Sequence, residues 1–269
     1  MDLLSSYWEG AKARYETAMN NGDPRVADWF LMDSPFPTLA LCLAYLGMCY
    51  AGPRMMANRE PFQLRPVIIV YNLVMVLVSA YMCYEILITT YHLKFNYWCD
   101  LVVYSPEHYA MRLASVIWVF YFTKIVEFLD TFFFILRKKN NQISVLHIYH
   151  HSTMAALWWI GVKWFAGGAS FFSAMVNSFV HTIMYSYYLL SALGPSVRPY
   201  LWWKKYLTML QLAQFAVILL HVVQAVYNGC RYDVRPQWTL VVYMLSHIAL
   251  FGNFYKHTYS KKPPRDSHT

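Results

Sequence analysis

Residues 66–88 read PVIIVYNLVMVLVSAYMCYEILI, with Glu85 the sole charge among them. The run opens on Pro66, a residue suited to the first turn of a helix. At 1.5 Å per residue, 23 residues make a helix of about 34 Å, long enough to cross the hydrocarbon core of a bilayer. A backbone in lipid must satisfy its own hydrogen bonds, and a helix does so. The expected fold class is therefore all-α and polytopic in a membrane.

The composition agrees. The 269 residues are 58% hydrophobic, 19% aromatic and 13% charged, against roughly 25% charged in soluble domains. Mean hydropathy is +0.30. Neither a disordered chain nor a nucleic-acid reader fits. The net charge of +8 points to basic loops on one side of a membrane or to anionic ligands such as phosphates. No cleavable signal peptide is expected, because residues 1–33 lack an apolar core and carry Lys12, Glu16, Asp23 and Arg25.

Working outward from 66–88, seven spans are expected, near 34–52, 66–90, 112–136, 143–162, 169–191, 206–227 and 236–256. They divide the chain into a 1–33 segment, a seven-helix domain at 34–256 and a basic tail at 257–269. Loops after spans one, three and five, with the tail, hold 13 Lys and Arg; the opposite side holds 8. That bias puts the C-terminus in the cytosol and the N-terminus across the membrane. Cys99 and Cys230 fall in loops on the non-cytosolic, oxidising side. Two readings stay open for them, a disulfide or two thiols too far apart to meet; the disulfide is the expectation.

Polar groups inside a bilayer are costly and mark function or helix contacts. Span three carries Lys124, Glu127, Asp130 and Thr131; span four opens with His147, His150 and His151. Spacings of i, i+3 and i+4 share a helical face. Three imidazoles there can bind a metal, move protons or act as nucleophiles. Span five carries Asn177, His181, Met184, Tyr185, Tyr187 and Tyr188, and span six Thr208, Gln211 and Gln214. The plainer alternatives are a salt bridge gluing helices, an aromatic packing stripe and interhelical hydrogen bonds. Lone His221 and His247 read as packing residues. Helical rise puts the polar groups of these four spans about 9–16 Å from the basic loops. They would form one chamber in the cytosolic half, under a cationic mouth suited to an amphiphile with a phosphate-rich head.

At these residues the chain resembles the fatty acid elongases of the endoplasmic reticulum, the very-long-chain 3-oxoacyl-CoA synthases. The motif Lys-x-x-Glu-x-x-Asp-Thr reads as Lys124–Thr131, and His-x-x-His-His as His147–His151. Asn-x-x-x-His-x-x-Met-Tyr-x-Tyr-Tyr reads as Asn177–Tyr188, and Thr-x-x-Gln-x-x-Gln as Thr208–Gln214. The likeness covers roughly residues 25–256. Ala166-Gly167-Gly168 and Ser191–Lys205 look closest to the branch handling saturated and monounsaturated chains. Lys261-Lys262 stands too far from Thr269 for a terminal dilysine signal, so reticulum localisation is implied by resemblance only.

The resemblance implies condensation of an acyl-CoA with malonyl-CoA inside an acyl-chain tunnel, giving a 3-oxoacyl-CoA two carbons longer, with carbon dioxide and free CoA. It implies no cofactor and no metal; both CoA esters are substrates. No Cys lies on the polar helices, so His150 is the expected nucleophile, with His147 and His151 orienting it or moving protons. Asn177 and His181 would hold the malonyl group or the enolate oxygen. Lys124, Glu127 and Asp130 would organise these groups, and with Tyr185, Thr208 and Gln211 they are expected to bind substrate. Arg137, Lys139, Gln142, Tyr187 and Lys204 would meet CoA, though the basic ones equally read as topology-setting charges. Implied partners are the other enzymes of the elongation cycle and a second copy in a homodimer, although no Gly-x-x-x-Gly motif stands out. Two alternatives are a di-iron desaturase or hydroxylase, which would need more His boxes than this one, and a seven-helix receptor or transporter.

Overall fold

The structure, a computed structural model, describes residues 2–259 except 100, 169 and 231–233; the side chains of 2–4, 234 and 235 are also outside the description. Arg231, the side chain of Arg235 and the tail from residue 260, with Lys261, Lys262 and Arg265, therefore lie outside the described residues.

Among the described residues there are nine α-helices and no strands: α1 (Asp2–Asn20), α2 (Phe36–Met55), α3 (Arg65–His92), α4 (His108–Val126), α5 (Phe128–Leu136), α6 (Val145–Phe165), α7 (Ser170–Ala192), α8 (Lys204–Tyr227) and α9 (Val234–Tyr259). Local signals set several starts. Ser34 Oγ accepts from the Phe36 N–H at the entry to α2, Pro66 sits in the first turn of α3, and Ser144 Oγ accepts from the His147 N–H to cap α6. Helices α2 to α9 fall on the seven expected spans. Three of them, α2, α3 and α8, are long and apolar enough by composition to cross a membrane. Only 17% of the apolar window of α2 is buried within the protein, so its Leu43 and Tyr50 face outward.

The span expected at 112–136 is two helices. They part at Glu127, whose ψ of −13 departs from α-helical geometry and whose carbonyl accepts from the Asp130 N–H at 3.1 Å in a tighter turn. Helices α4, α6, α9, α8 and α7 touch in that cyclic order. They form a five-helix ring, with α2 outside against α5 and α6, and α3 outside against α4 and α7. A cavity enclosed by all seven spans is thus corrected to one enclosed by five.

The loops sort to two ends, as helix alternation requires. At the basic end, Lys138 Nζ donates to the carbonyls of Ala57 and Arg59, and Arg65 donates to those of Ala192 and Leu193. At the other end, a disulfide joins Cys99 to Cys230, with Cα atoms 5.5 Å apart. There the chain from Asn20 to Met32 docks on the bundle. Arg25 pairs with buried Asp23 at 2.6 Å and donates to the carbonyls of Val103, Ala110 and Ala166. A segment read only as polar is thus fastened by charge-assisted bonds.

Candidate active site

Helix α4 brings Lys124 to the centre of the bundle, 1% exposed. Its Nζ donates to Glu127 Oε1 at 2.8 Å and to Asn177 Oδ1 on α7 at 3.1 Å, and stands 4.4 Å from the Phe120 ring centre. His181 Nδ1 lies 3.2 Å from the same Glu127 oxygen. Asn177 Nδ2 donates to Gln214 Oε1 on α8 at 3.4 Å. One buried network therefore ties α4, α7 and α8 together. Buried charges need such partners, and the break at Glu127 brings that carboxylate within reach of the Lys124 ammonium and the His181 ring.

The remaining motif residues divide. Tyr185 OH donates to Asp130 Oδ2 at 2.7 Å. Thr131 Oγ1 lies 2.7 Å from His147 Nε2 and 3.1 Å from Tyr45 OH on α2. His147 and His151 meet at a tilt of 50° with ring centres 4.3 Å apart, and His151 lies 6.2 Å from Tyr45. These two imidazoles serve the α2–α5 side of α6. His150 turns the other way, into the ring. The expectation that all three share one face is corrected: i and i+4 align, while i+3 stands far enough round the helix to face a different neighbour.

His150 borders a cavity of about 570 Å³, within the 300–1,000 Å³ range of ligand sites. Asn177 and His247 join it on the cavity wall, which otherwise runs through Phe120, Met154, Trp158, Phe215 and Ile218 to Leu101 and Val102 beside the disulfide. A polar end and an apolar shaft are the shape an acyl chain with a reactive head requires. Sequence reading took His247 and His221 for packing residues. His221 does pack, stacked on Phe172 at 4.1 Å with Nε2 2.7 Å from the Tyr97 carbonyl, yet both line the cavity. A single His in an apolar helix carries no spacing signal, so only the fold could bring His247 to His150.

Residues expected at the CoA mouth cluster near the basic end without forming a closed site. Arg137 caps α5, and Lys139, Gln142 and Lys204 are exposed. Tyr187 packs edge-on against Trp203 at 4.9 Å. Gln211 donates to Met184 Sδ at 3.4 Å rather than joining the charged network, and Thr208 is buried near the start of α8.

The profile of the ELO family, described as GNS1/SUR4, matches residues 30–267. The chain belongs to that family, the fatty acid elongases. Very long chain fatty acid elongase 4 of Mus musculus is 47% identical over 269 residues, all of this chain and 86% of the relative. The Homo sapiens protein of the same name is 49% identical over 265 residues, 98% of this chain and 84% of that one. Very long chain fatty acid elongase 7 of Drosophila melanogaster is 42% identical over 268 residues, covering 99% and 80%. The cavity and buried network described above are thus those of a membrane protein of fatty acid elongation.

Proposed function

We propose that this elongase is a very-long-chain 3-oxoacyl-CoA synthase acting through an acyl-imidazole on His150. The observation that carries the reading is the position of His150 at the polar end of an apolar shaft. Its ring meets those of His151 and His247 at 5.2 and 5.5 Å, and among the described residues no hydrogen bond occupies its nitrogens. A neutral imidazole so held can attack a thioester carbonyl, expelling CoA. Malonyl-CoA then enters and loses carbon dioxide, and its enolate carbon attacks the acyl carbon, freeing His150. Asn177, fixed between Lys124 and Gln214, would stabilise the enolate oxygen, with His181 beside it. His147 and His151 orient α6. Arg137, Lys139, Gln142, Tyr187 and Lys204 meet CoA phosphates at the mouth, while Thr208, Gln211 and Tyr185 support the upper chamber. No cofactor is required.

In this reading α2, α3, the α4–α5 pair and α6 to α9 are seven membrane spans of the endoplasmic reticulum. The N-terminus faces the lumen, with the disulfide, and the basic end faces the cytosol. The sequence's domain limits, 1–33, 34–256 and 257–269, carry over. The polar side chains of α6 and α7 lower their hydropathy because they serve the chamber. The product needs a reductase of the same cycle to act next, and a homodimer is the proposed assembly.

Protein mixed with acyl-CoA alone should release at most one equivalent of CoA per site in a burst and gain the mass of one acyl group. Added malonyl-CoA should then collect the acyl group, and His150→Ala should abolish burst and product. No adduct, with normal condensation once both substrates are present, would refute the covalent role and leave direct attack of the enolate on acyl-CoA.

A further inference from the structure

We infer that His247 on α9 is the proton-transfer partner of His150, taking its proton during acyl transfer and returning one when the imidazole leaves. This rests on the covalent reading above. His247 is 0% exposed, in a residue type of intermediate burial whose ring nitrogens need partners away from water. Its Nδ1 lies 2.9 Å from the Tyr243 carbonyl one turn earlier. A carbonyl oxygen can only accept, so Nδ1 carries the hydrogen and Nε2 presents a lone pair. That Nε2 is buried and has no hydrogen-bond partner. Leaving a buried acceptor unpaired costs roughly 1–3 kcal/mol, and such atoms are uncommon in native proteins.

The surroundings hold the ring in place. Tyr243, Phe215 and Tyr149 pack on it with centres 4.3, 5.1 and 5.3 Å away. The His150 ring stands 5.5 Å from it at 74°, and both rings line the cavity. At that separation a proton passes by a small turn of His150 or through one water, the reach that general acid–base partners need. Lys124 Nζ is held by Glu127 Oε1, His181 Nδ1 faces that same carboxylate oxygen at 3.2 Å, and His147 Nε2 is engaged by Thr131; His151 Nδ1 is buried without a partner, but its ring is not on the cavity wall. Among the described residues, what sets His247 apart is that its unpartnered nitrogen belongs to a ring on the cavity wall beside His150.

The steps balance. One ring nitrogen of His150 bonds to the acyl carbon as the carbon–sulfur bond breaks. The proton on the other nitrogen passes to His247 Nε2 and then to the departing thiolate, giving neutral acyl-imidazole and CoA thiol. In the second half, malonyl decarboxylation leaves an enolate, whose carbon bonds to the acyl carbon while the bond to His150 breaks. His247 Nε2 first takes a proton from solvent, and the departing imidazolate takes that proton, which leaves His247 neutral as at the start. One proton is consumed per turn, matching the carboxylate lost as carbon dioxide.

The test compares the unaltered protein with His247→Ala and His247→Phe, following CoA release after acyl-CoA alone, with and without added imidazole. The burst rate should fall at least ~100-fold in both variants, the usual worth of general acid–base help, with KM for acyl-CoA little changed. Imidazole should restore His247→Ala, where space is left for it, and leave His247→Phe slow. The Phe variant keeps the volume filled, so a packing role alone would spare it. An unchanged burst rate in either variant, or a slow Ala variant that imidazole does not revive, overturns the inference. Absence of a burst in the unaltered protein would instead refute the His150 nucleophile.

Discussion

Lys124→Met should destabilise the protein by more than the net worth of the ion pair it breaks. Lys124 and Glu127 side chains are 1% and 2% exposed and meet at 2.8 Å. At an effective dielectric of about 20, that separation is worth about 6 kcal/mol of attraction. Desolvation of each ion offsets several kcal/mol, so the intact pair is close to neutral for stability, whereas removing one partner leaves an unpaired buried charge and costs about 3–5 kcal/mol. Lys124→Met should fall near 3, because His181 at 3.2 Å can take up a proton and face the carboxylate. Glu127→Gln should fall nearer 5, since the ammonium would lose the carboxylate's charge and keep only neutral partners, amide oxygens and the Phe120 face. The double variant should recover at least about 2 kcal/mol relative to the sum of the singles. Unfolding in mixed micelles of rising SDS content, followed by tryptophan fluorescence, measures all three. Additive singles of under about 1 kcal/mol each would refute the reasoning, because they would mean the network is hydrated or uncharged.

Three further expectations follow from the ends of the bundle. Lys204→Ala should raise the KM for acyl-CoA several-fold and spare kcat, since a phosphate contact is made equally in ground and transition states; an unchanged KM in steady-state assays would move the CoA site elsewhere. Arg25→Met should destabilise by about 3–5 kcal/mol, because Asp23 has no exposed side-chain surface and loses its partner, whereas loss of the exposed Lys12–Glu16 pair should be close to silent in the same unfolding assay. Gly168→Ala should cost more than about 1 kcal/mol, since φ is +52 and a Cβ there would sit 2.8 Å from the Val102 nitrogen; a wild-type melting temperature would refute that closeness.

The sequence shows the helices well because lipid makes the signal long. The run at 66–88 became α3, and the seven expected spans lie on α2 to α9 within a few residues. What periodicity cannot give is direction across a gap. His147, His150 and His151 sit within five residues, yet their partners are on α5, α2 and α9, distant in sequence, so the split between two faces was not readable. The break at Glu127 was equally hidden: span three is continuous in hydrophobicity, and only the bonds to Lys124 and His181 show why the helix turns tighter there. The N-terminal segment looked like a polar lead-in because Arg25 and Asp23 carry no pattern until Val103, Ala110 and Ala166 supply carbonyls. Cys99 and Cys230 were the opposite case. Helix parity put them on one side, and proximity was the one thing left to learn.

On the proposed mechanism, the reacting groups and the buried charges are kept apart. Lys124 and Glu127 lie behind Asn177, off the cavity wall, and the groups that reach the wall at its polar end are two imidazoles and an amide. A full charge beside the shaft would draw water into the space meant for an acyl chain, and water would hydrolyse an acyl-imidazole. Neutral groups avoid this, and the charged pair holds the Asn177 amide, the group proposed to stabilise the enolate oxygen. That division predicts different failures. Loss of His150 should remove the covalent step and leave the fold standing. Loss of Lys124 should loosen Asn177 and slow the second half-reaction, with the CoA burst retained in whatever protein stays folded. A Lys124→Met preparation that lost the burst and the condensation in equal measure would show that the charged pair acts on His150 as well, and the separation argued here would fail.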